Sequence, residues 1–136
     1  MKTILVAYDG TDESKRALER AASLAKTSDA KLVVTSVATV LRDGRAMGGI
    51  DPVETTEAHQ AMLDEALAAV GSEGLTVEGQ LAVGYPADAI VETAKAVDAD
   101  LVVVGSRELG FFERWLGGSV SDGVVHKARC DVLIVH

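Results

Sequence analysis

The sequence predicts an α/β fold, a single open parallel sheet of five strands in the order 3-2-1-4-5 with helices on both faces. Three observations lead there. Strand-like apolar runs take turns along the chain with segments of helical periodicity, giving the order β, α, β, α, β, α, β, α, β. Runs such as Ile4-Leu5-Val6-Ala7 and Leu101 to Val104 are continuous rather than alternating, the pattern of strands covered on both faces. The exits of the first and fourth strands carry Asp9-Gly10 and Gly105-Ser106. Ligands of such sheets sit beyond the strand C-termini where the winding reverses, so these two strands are placed side by side, which yields the stated order.

Each element has its own grounds. Thr3 to Tyr8 forms the first strand, and Asp9-Gly10-Thr11-Asp12 breaks it. Thr11 is the N-cap of a helix that buries Ala17, Leu18, Ala21, Leu24 and Ala25 and turns Lys15, Arg16, Glu19 and Arg20 to its other faces. The second strand runs near Lys31 to Val37. Ala38 to Asp51 is irregular, with Gly44, Gly48 and Gly49. A loop of this length is either a plain connection or a lid over a ligand. Asp51-Pro52-Val53-Glu54 then starts a helix, with Asp as cap, Pro at the first helical position and Glu reaching back. Met62, Leu63, Ala66, Leu67 and Val70 form its buried face, and Gly71 ends it. Leu75, Val77, Leu81 and Val83 alternate with Thr76, Glu78, Gln80 and Ala82, so this strand exposes part of one face and belongs at a sheet edge. Gly84-Tyr85-Pro86 turns into a helix carrying Ile90, Val91, Ala94 and Val97, and Asp98-Ala99-Asp100 leads to the fourth strand. After a helix beginning near Ser119, Asp131 introduces the last strand, Val132 to Val135.

A chain of 136 residues with 48% hydrophobic content fits one domain spanning residues 1–136. The apolar core of MKTILVAYDG is too short for a signal peptide, and no run approaches the roughly 20 apolar residues of a membrane span, so a soluble cytoplasmic protein with no membrane partner is expected. The lone Cys130 excludes an intrachain disulfide, and its place before the Val132 to Val135 run predicts a small buried side chain. A net charge of -8 argues against a nucleic-acid partner, because phosphate backbones select clustered Lys and Arg. A small anion is a different matter, since salt screens distant carboxylates beyond about 10 Å.

Leu101 to Ser121 reads as strand, loop and helix N-terminus. The first amides of a helix lack partners inside it and carry partial positive charge, so Gly118, Ser119, Val120 and Ser121 can present donors to an anion. The hydroxyls of Ser119 and Ser121 can equally cap the helix. Asp9 can close a turn or cap the first helix, and Gly105 can simply relieve crowding at a strand end.

Gly105, two residues, position 108, nine residues and Gly118-Ser119 resembles the nucleotide-binding signature of the universal stress protein family, normally Gly, two residues, Gly, nine residues, then Gly and Ser or Thr. Position 108 is Glu here. The resemblance runs the length of the chain, through ILVAYDGTDESKRAL, VGYPADAIVETA, DLVVVGSRELGFF and LGGSVSDGVVHKARCDVLIV. It implies a Rossmann-like, adenine nucleotide alpha hydrolase-like fold that binds ATP, or AMP or ADP, with Mg2+ accompanying the nucleotide. By the same resemblance the cofactor-binding positions are Ala7, Asp9, Val37, Gly105, Arg107, Gly118, Ser119, Val120 and Ser121. Asp9 lies near the ribose or serves as the metal ligand, and Val37, matched to the residue ending the second strand, offers backbone atoms to adenine. The phosphates meet the glycine loop and the helix behind it. A homodimer through the last strand, Val132, Leu133, Ile134 and Val135, is also implied, and the partner of a regulatory protein of this kind is left unnamed.

Glu108 is the departure. In a left-handed glycine position it adds roughly 1–2 kcal/mol of strain. Facing phosphates at about 4 Å, its charge costs about 1 kcal/mol in water and about 4 at a partly screened site. A helix terminus offers an anion only about 0.3–1 kcal/mol, up to roughly 2. An inward Glu108 therefore outweighs the helix, whereas one turned to solvent or holding Arg107 does not. Catalysis has little support. The chain lacks a Gly-x-x-x-x-Gly-Lys-Ser/Thr loop and a Ser-Gly-Gly-x-Asp-Ser pyrophosphatase loop. His59, His126 and His136 lack metal-ligand spacing, and Ser119 has no His/Asp partners in view. Phe111, Phe112 and Trp115 either pack the loop onto the core or stack on a base. The leading expectation is a stress-response sensor or regulatory module that binds an adenine nucleotide with little or no catalysis. The alternatives are a member that works through protein contacts without nucleotide, and a slow metal-assisted ATPase.

Overall fold

The computed structural model describes residues 1–39, 52–71, 74–106 and 120–136, the side chains of residues 39, 52–55, 120 and 121 excepted. Most of the irregular stretch after the second strand and the Phe111, Phe112 and Trp115 cluster lie outside the described residues. Strands β1 (Thr3–Ala7), β2 (Lys31–Thr39), β3 (Val77–Gly84), β4 (Leu101–Gly105) and β5 (Asp131–Val135) form one sheet in the order β3-β2-β1-β4-β5. Every pairing is parallel. The described helices are α1 (Asp12–Ser28), α2 (Pro52–Val70), α3 (Pro86–Ala96) and α4 (Val120–Lys127).

Ile4, Leu5 and Val6 are all 0% exposed, so the central strand is sealed on both faces, which is why its run has no polar beat. Alternation divides it between two cores. Ile4, Val6 and Tyr8 join Leu32, Val34, Leu101 and Val103 under α1 and α2, whose Ala17, Ala21, Leu63 and Ala66 close that layer. Leu5 joins Val33, Val102 and Val104 under α3 and α4, through Ile90, Ala94 and Val124. Each fully buried aliphatic side chain contributes about 1.5–3 kcal/mol.

Glycine and aspartate set how close the layers come. A β-carbon at Gly79 would stand 2.8 Å from Leu67 Cδ1, so the gap in the apolar beat of β3 is where α2 presses on it. Asp100 Oδ2 accepts from the backbone N–H groups of Lys2 (2.7 Å) and Thr3 (2.9 Å), fastening the start of β1 to that of β4.

Three details depart from expectation. β2 continues to Thr39, so Val37 does not end it. Val83, expected on the covered face of β3, is exposed, because an edge strand is supported by a neighbour on one side only. Cys130 is half-buried, just ahead of the outer strand β5, and burial, followed by the Asp131 and Asp100 carboxylates, pushes its thiol up from its usual range.

Candidate functional site

β1 and β4 are neighbours, with Ile4 opposite Leu101, Leu5 opposite Val102 and Val6 opposite Val103. Carried forward, that register brings the exits of the two strands together, as the strand order requires. The turn leaving β1 is tightly built. Gly10 takes φ 81, a left-handed conformation that suits glycine. Asp9 Oδ1 accepts from the Thr11 N–H at 3.0 Å and from the Thr11 hydroxyl at 2.6 Å. Thr11 Oγ1 in turn accepts from the Ser14 N–H at 3.2 Å, the capping bond of α1, and the Ser14 hydroxyl donates back to Thr11 O at 2.9 Å. The Asp9 N–H reaches Ser14 Oγ at 3.3 Å. Asp9 thus closes the turn through the very residue that caps the helix.

Gly105 ends β4 against the first turn of α1. A β-carbon there would lie 2.9 Å from Glu13 Cβ and 3.0 Å from the Glu13 carbonyl carbon. Relief of crowding is therefore a real task of this glycine. Arg16 braces the same turn, its Nε donating to His136 O at 2.9 Å and its guanidinium standing 3.4 Å from Glu13. The N-terminus of α1 is already supplied with Asp12, Glu13 and the Thr11 cap. Negative charge and a side-chain cap thus already complement that end of the α1 dipole.

Val120 and Ser121 lie in the first turn of α4, as the strand, loop and helix reading requires. Arg107, Glu108, Gly118 and Ser119 fall outside the described residues. Helix α4 is held on α3: a β-carbon at Gly123 would meet Ala87 Cβ at 2.7 Å, and Lys127 pairs with Asp88. Lys127 sits in the last turn, as does the exposed His126. Ala7 and Val37 are half-buried and pack on the α3 side of the sheet. Asp9 and Gly105 are thus brought to one end of the sheet with Ala7, while Val37 stands one strand over on β2.

Sequence reasoning missed Glu13, Ser14 and Thr35. Thr35 and Ser36 are both 0% exposed inside the apolar run of β2. Ser36 Oγ approaches Met62 Sδ at 3.7 Å. Thr35 Oγ1 has no hydrogen-bond partner among the described residues, a state that costs about 1–3 kcal/mol in a buried site. The polar Thr-Ser pair in an apolar strand was the available signal. On the α1 and α2 side, burial and then the Glu65 and Asp9 carboxylates push the Tyr8 phenol up. Among the described residues no group of three or more His, Cys, Asp or Glu is placed to hold a metal ion, and no helix is long and apolar enough to cross a membrane.

Comparison with known proteins places this geometry in context. The model of the universal stress protein family matches residues 1–136. Universal stress protein Rv1636 of Mycobacterium tuberculosis is 36% identical over 146 residues, covering 99% of this chain and 96% of the relative. A crystal structure of a universal stress protein in complex with cAMP superposes with a TM-score of 0.77 at 33% identity, over 99% of this chain and 97% of that one. A universal stress protein from Archaeoglobus fulgidus in complex with dAMP gives 0.71 at 27% identity, over 100% and 98% of the two chains.

Proposed function

The chain belongs to the universal stress protein family, and from that premise we propose that it binds ATP or another adenine nucleotide beyond the ends of β1 and β4. In this reading it is a cytoplasmic, homodimeric stress-response sensor or regulatory module rather than an efficient enzyme. The observation that carries the reading is the adjacency of β1 and β4, which sets the Asp9-Gly10 turn beside the Gly105 exit. Complexes of relatives with cAMP and dAMP support an adenine nucleotide as the ligand class. Ala7, Asp9 and Val37 would line the nucleoside side. Gly105, Arg107, Gly118, Ser119, Val120 and Ser121 would meet the phosphates. A Mg2+ ion keeps most of its waters and phosphate ligands and needs only one or two carboxylates, which Asp9 suits once its bond with Thr11 is shared. The outer position of β5 suits a second copy adding to the sheet through Val132, Leu133, Ile134 and Val135.

Heat-denaturing freshly purified protein and identifying released nucleotides by mass spectrometry tests this directly. Recovery of adenine nucleotide at near one per chain is expected, with Asp9→Ala reducing it. A chain that carries none and binds none in calorimetry refutes the reading.

A second reading, a stress protein that acts through protein contacts without nucleotide, draws on one observation: Asp9 Oδ1 and Gly105 already serve structural tasks at the start of α1. Turnover is the weakest reading, because the nearest lysine after the loop, Lys127, is committed to Asp88. An ATP hydrolysis assay with Asp9→Ala as control separates it from binding alone.

A further inference from the structure

We propose that the Thr35 hydroxyl is a recognition group for the base of the bound nucleotide, set in the floor of the crevice beside Ala7 and Val37. This rests on the nucleotide-binding reading and adds to it a residue that selects the ligand. Thr35 is completely buried, and its Oγ1 has no hydrogen-bond partner among the described residues. Buried side-chain polar atoms are nearly always paired, so an orphan hydroxyl calls for a partner that arrives from outside the chain.

Its place in the sheet says where that partner comes from. Alternation along β2 puts Val33, Thr35 and Val37 on the α3 side, where Val33 belongs to the closed core and Val37 packs at its margin. Thr35 pairs in register with Ala7 on β1 and Gln80 on β3. Leu5 and Val33, one step deeper, are 0% exposed, whereas Ala7 and Val37 are only half-buried. The face therefore opens at Ala7 and Val37, and the Thr35 hydroxyl lies just beneath that opening. Ser36, equally buried on the opposite face, has Met62 within reach and needs nothing further.

The same placement favours a base over a phosphate. β2 lies two strand spacings from β4, about 10 Å, with β1 between them. Phosphates drawn to the loop behind Gly105 leave the ribose over the exit of β1 and the base over β2. A hydroxyl both donates and accepts, and an adenine edge offers a ring-nitrogen acceptor and an amino donor. One neutral hydrogen bond between them balances the orphan.

The test is calorimetric titration of the full chain with ATP and AMP, beside Thr35→Val and Thr35→Ser. Thr35→Val should bind both nucleotides about 3- to 10-fold more weakly, the range for one neutral hydrogen bond, while the ligand-free protein melts at the same or a higher temperature. Thr35→Ser should bind like the wild type. If the shape of valine disturbs the strand, Thr35→Ser against Thr35→Ala poses the same question. Equal affinity with and without the hydroxyl, in a chain that binds nucleotide, overturns this inference and leaves the proposed function standing. A wild-type chain that binds neither nucleotide overturns both.

Discussion

Gly105 and Glu13 touch across 92 positions of sequence: a β-carbon on Gly105 would sit 2.9 Å from that of Glu13. The glycine that opens the candidate loop is therefore also the residue that lets α1 reach the sheet. Gly105→Ala is expected to destabilise the protein by about 1–3 kcal/mol, the usual cost of overpacking a close contact. Chemical denaturation measures it. Calorimetry should show weaker ATP binding too, because a displaced α1 carries Thr11 and Asp9 with it.

The second prediction concerns the seat of α4. A β-carbon at Gly123 would meet Ala87 Cβ at 2.7 Å. Alanine favours a helix over glycine by about 0.8–1 kcal/mol, yet the clash costs about 1–3 kcal/mol. Gly123→Ala should accordingly be neutral to destabilising by about 2 kcal/mol. Adding Ala87→Gly should recover much of any loss in thermal melts. A Gly123→Ala protein that is more stable than the wild type would show that the two helices can part freely.

Acid should weaken the tie between the starts of β1 and β4. The Thr3 and Lys2 N–H groups hold the Asp100 carboxyl below its ordinary value of 3.8. A carboxyl depressed in the folded state adds stability above its unfolded value, and that contribution fades as pH falls through the lower folded value. Asp100→Ala should thus lower the melting temperature at neutral pH, and the difference from wild type should shrink below about pH 4. A gap that is constant from pH 7 to 2 would remove the carboxylate from the explanation.

Position 108 supplies the fourth. Removing a carboxylate that faces phosphates at about 4 Å relieves about 1 kcal/mol even in water, so Glu108→Gly should tighten ATP binding by roughly fivefold or more in calorimetry. Unchanged affinity would mean that residue 108 does not control the pocket.

The strand order was legible because burial of β1 on both faces is written in Ile4-Leu5-Val6 itself, and because two polar exits had to share one crevice. The Thr11 cap was legible for the same local reason: a capping side chain acts on its own helix three residues on. Cys130 and Val83 were misjudged because neighbouring residues set periodicity, whereas exposure at the margin of a sheet depends on what the adjoining elements reach.

Local chemistry, then, determined the succession of strands and helices, the family and the turn at Asp9, since each is encoded within a few residues of chain or a short run of spacing. Tertiary structure alone decided that Gly105 serves Glu13, that Gly123 serves Ala87, and that the Thr35 hydroxyl is buried with no hydrogen-bond partner among the described residues. Those facts concern distances between segments far apart in sequence, and close packing fixes such distances to a fraction of an ångström only when the whole sheet is assembled.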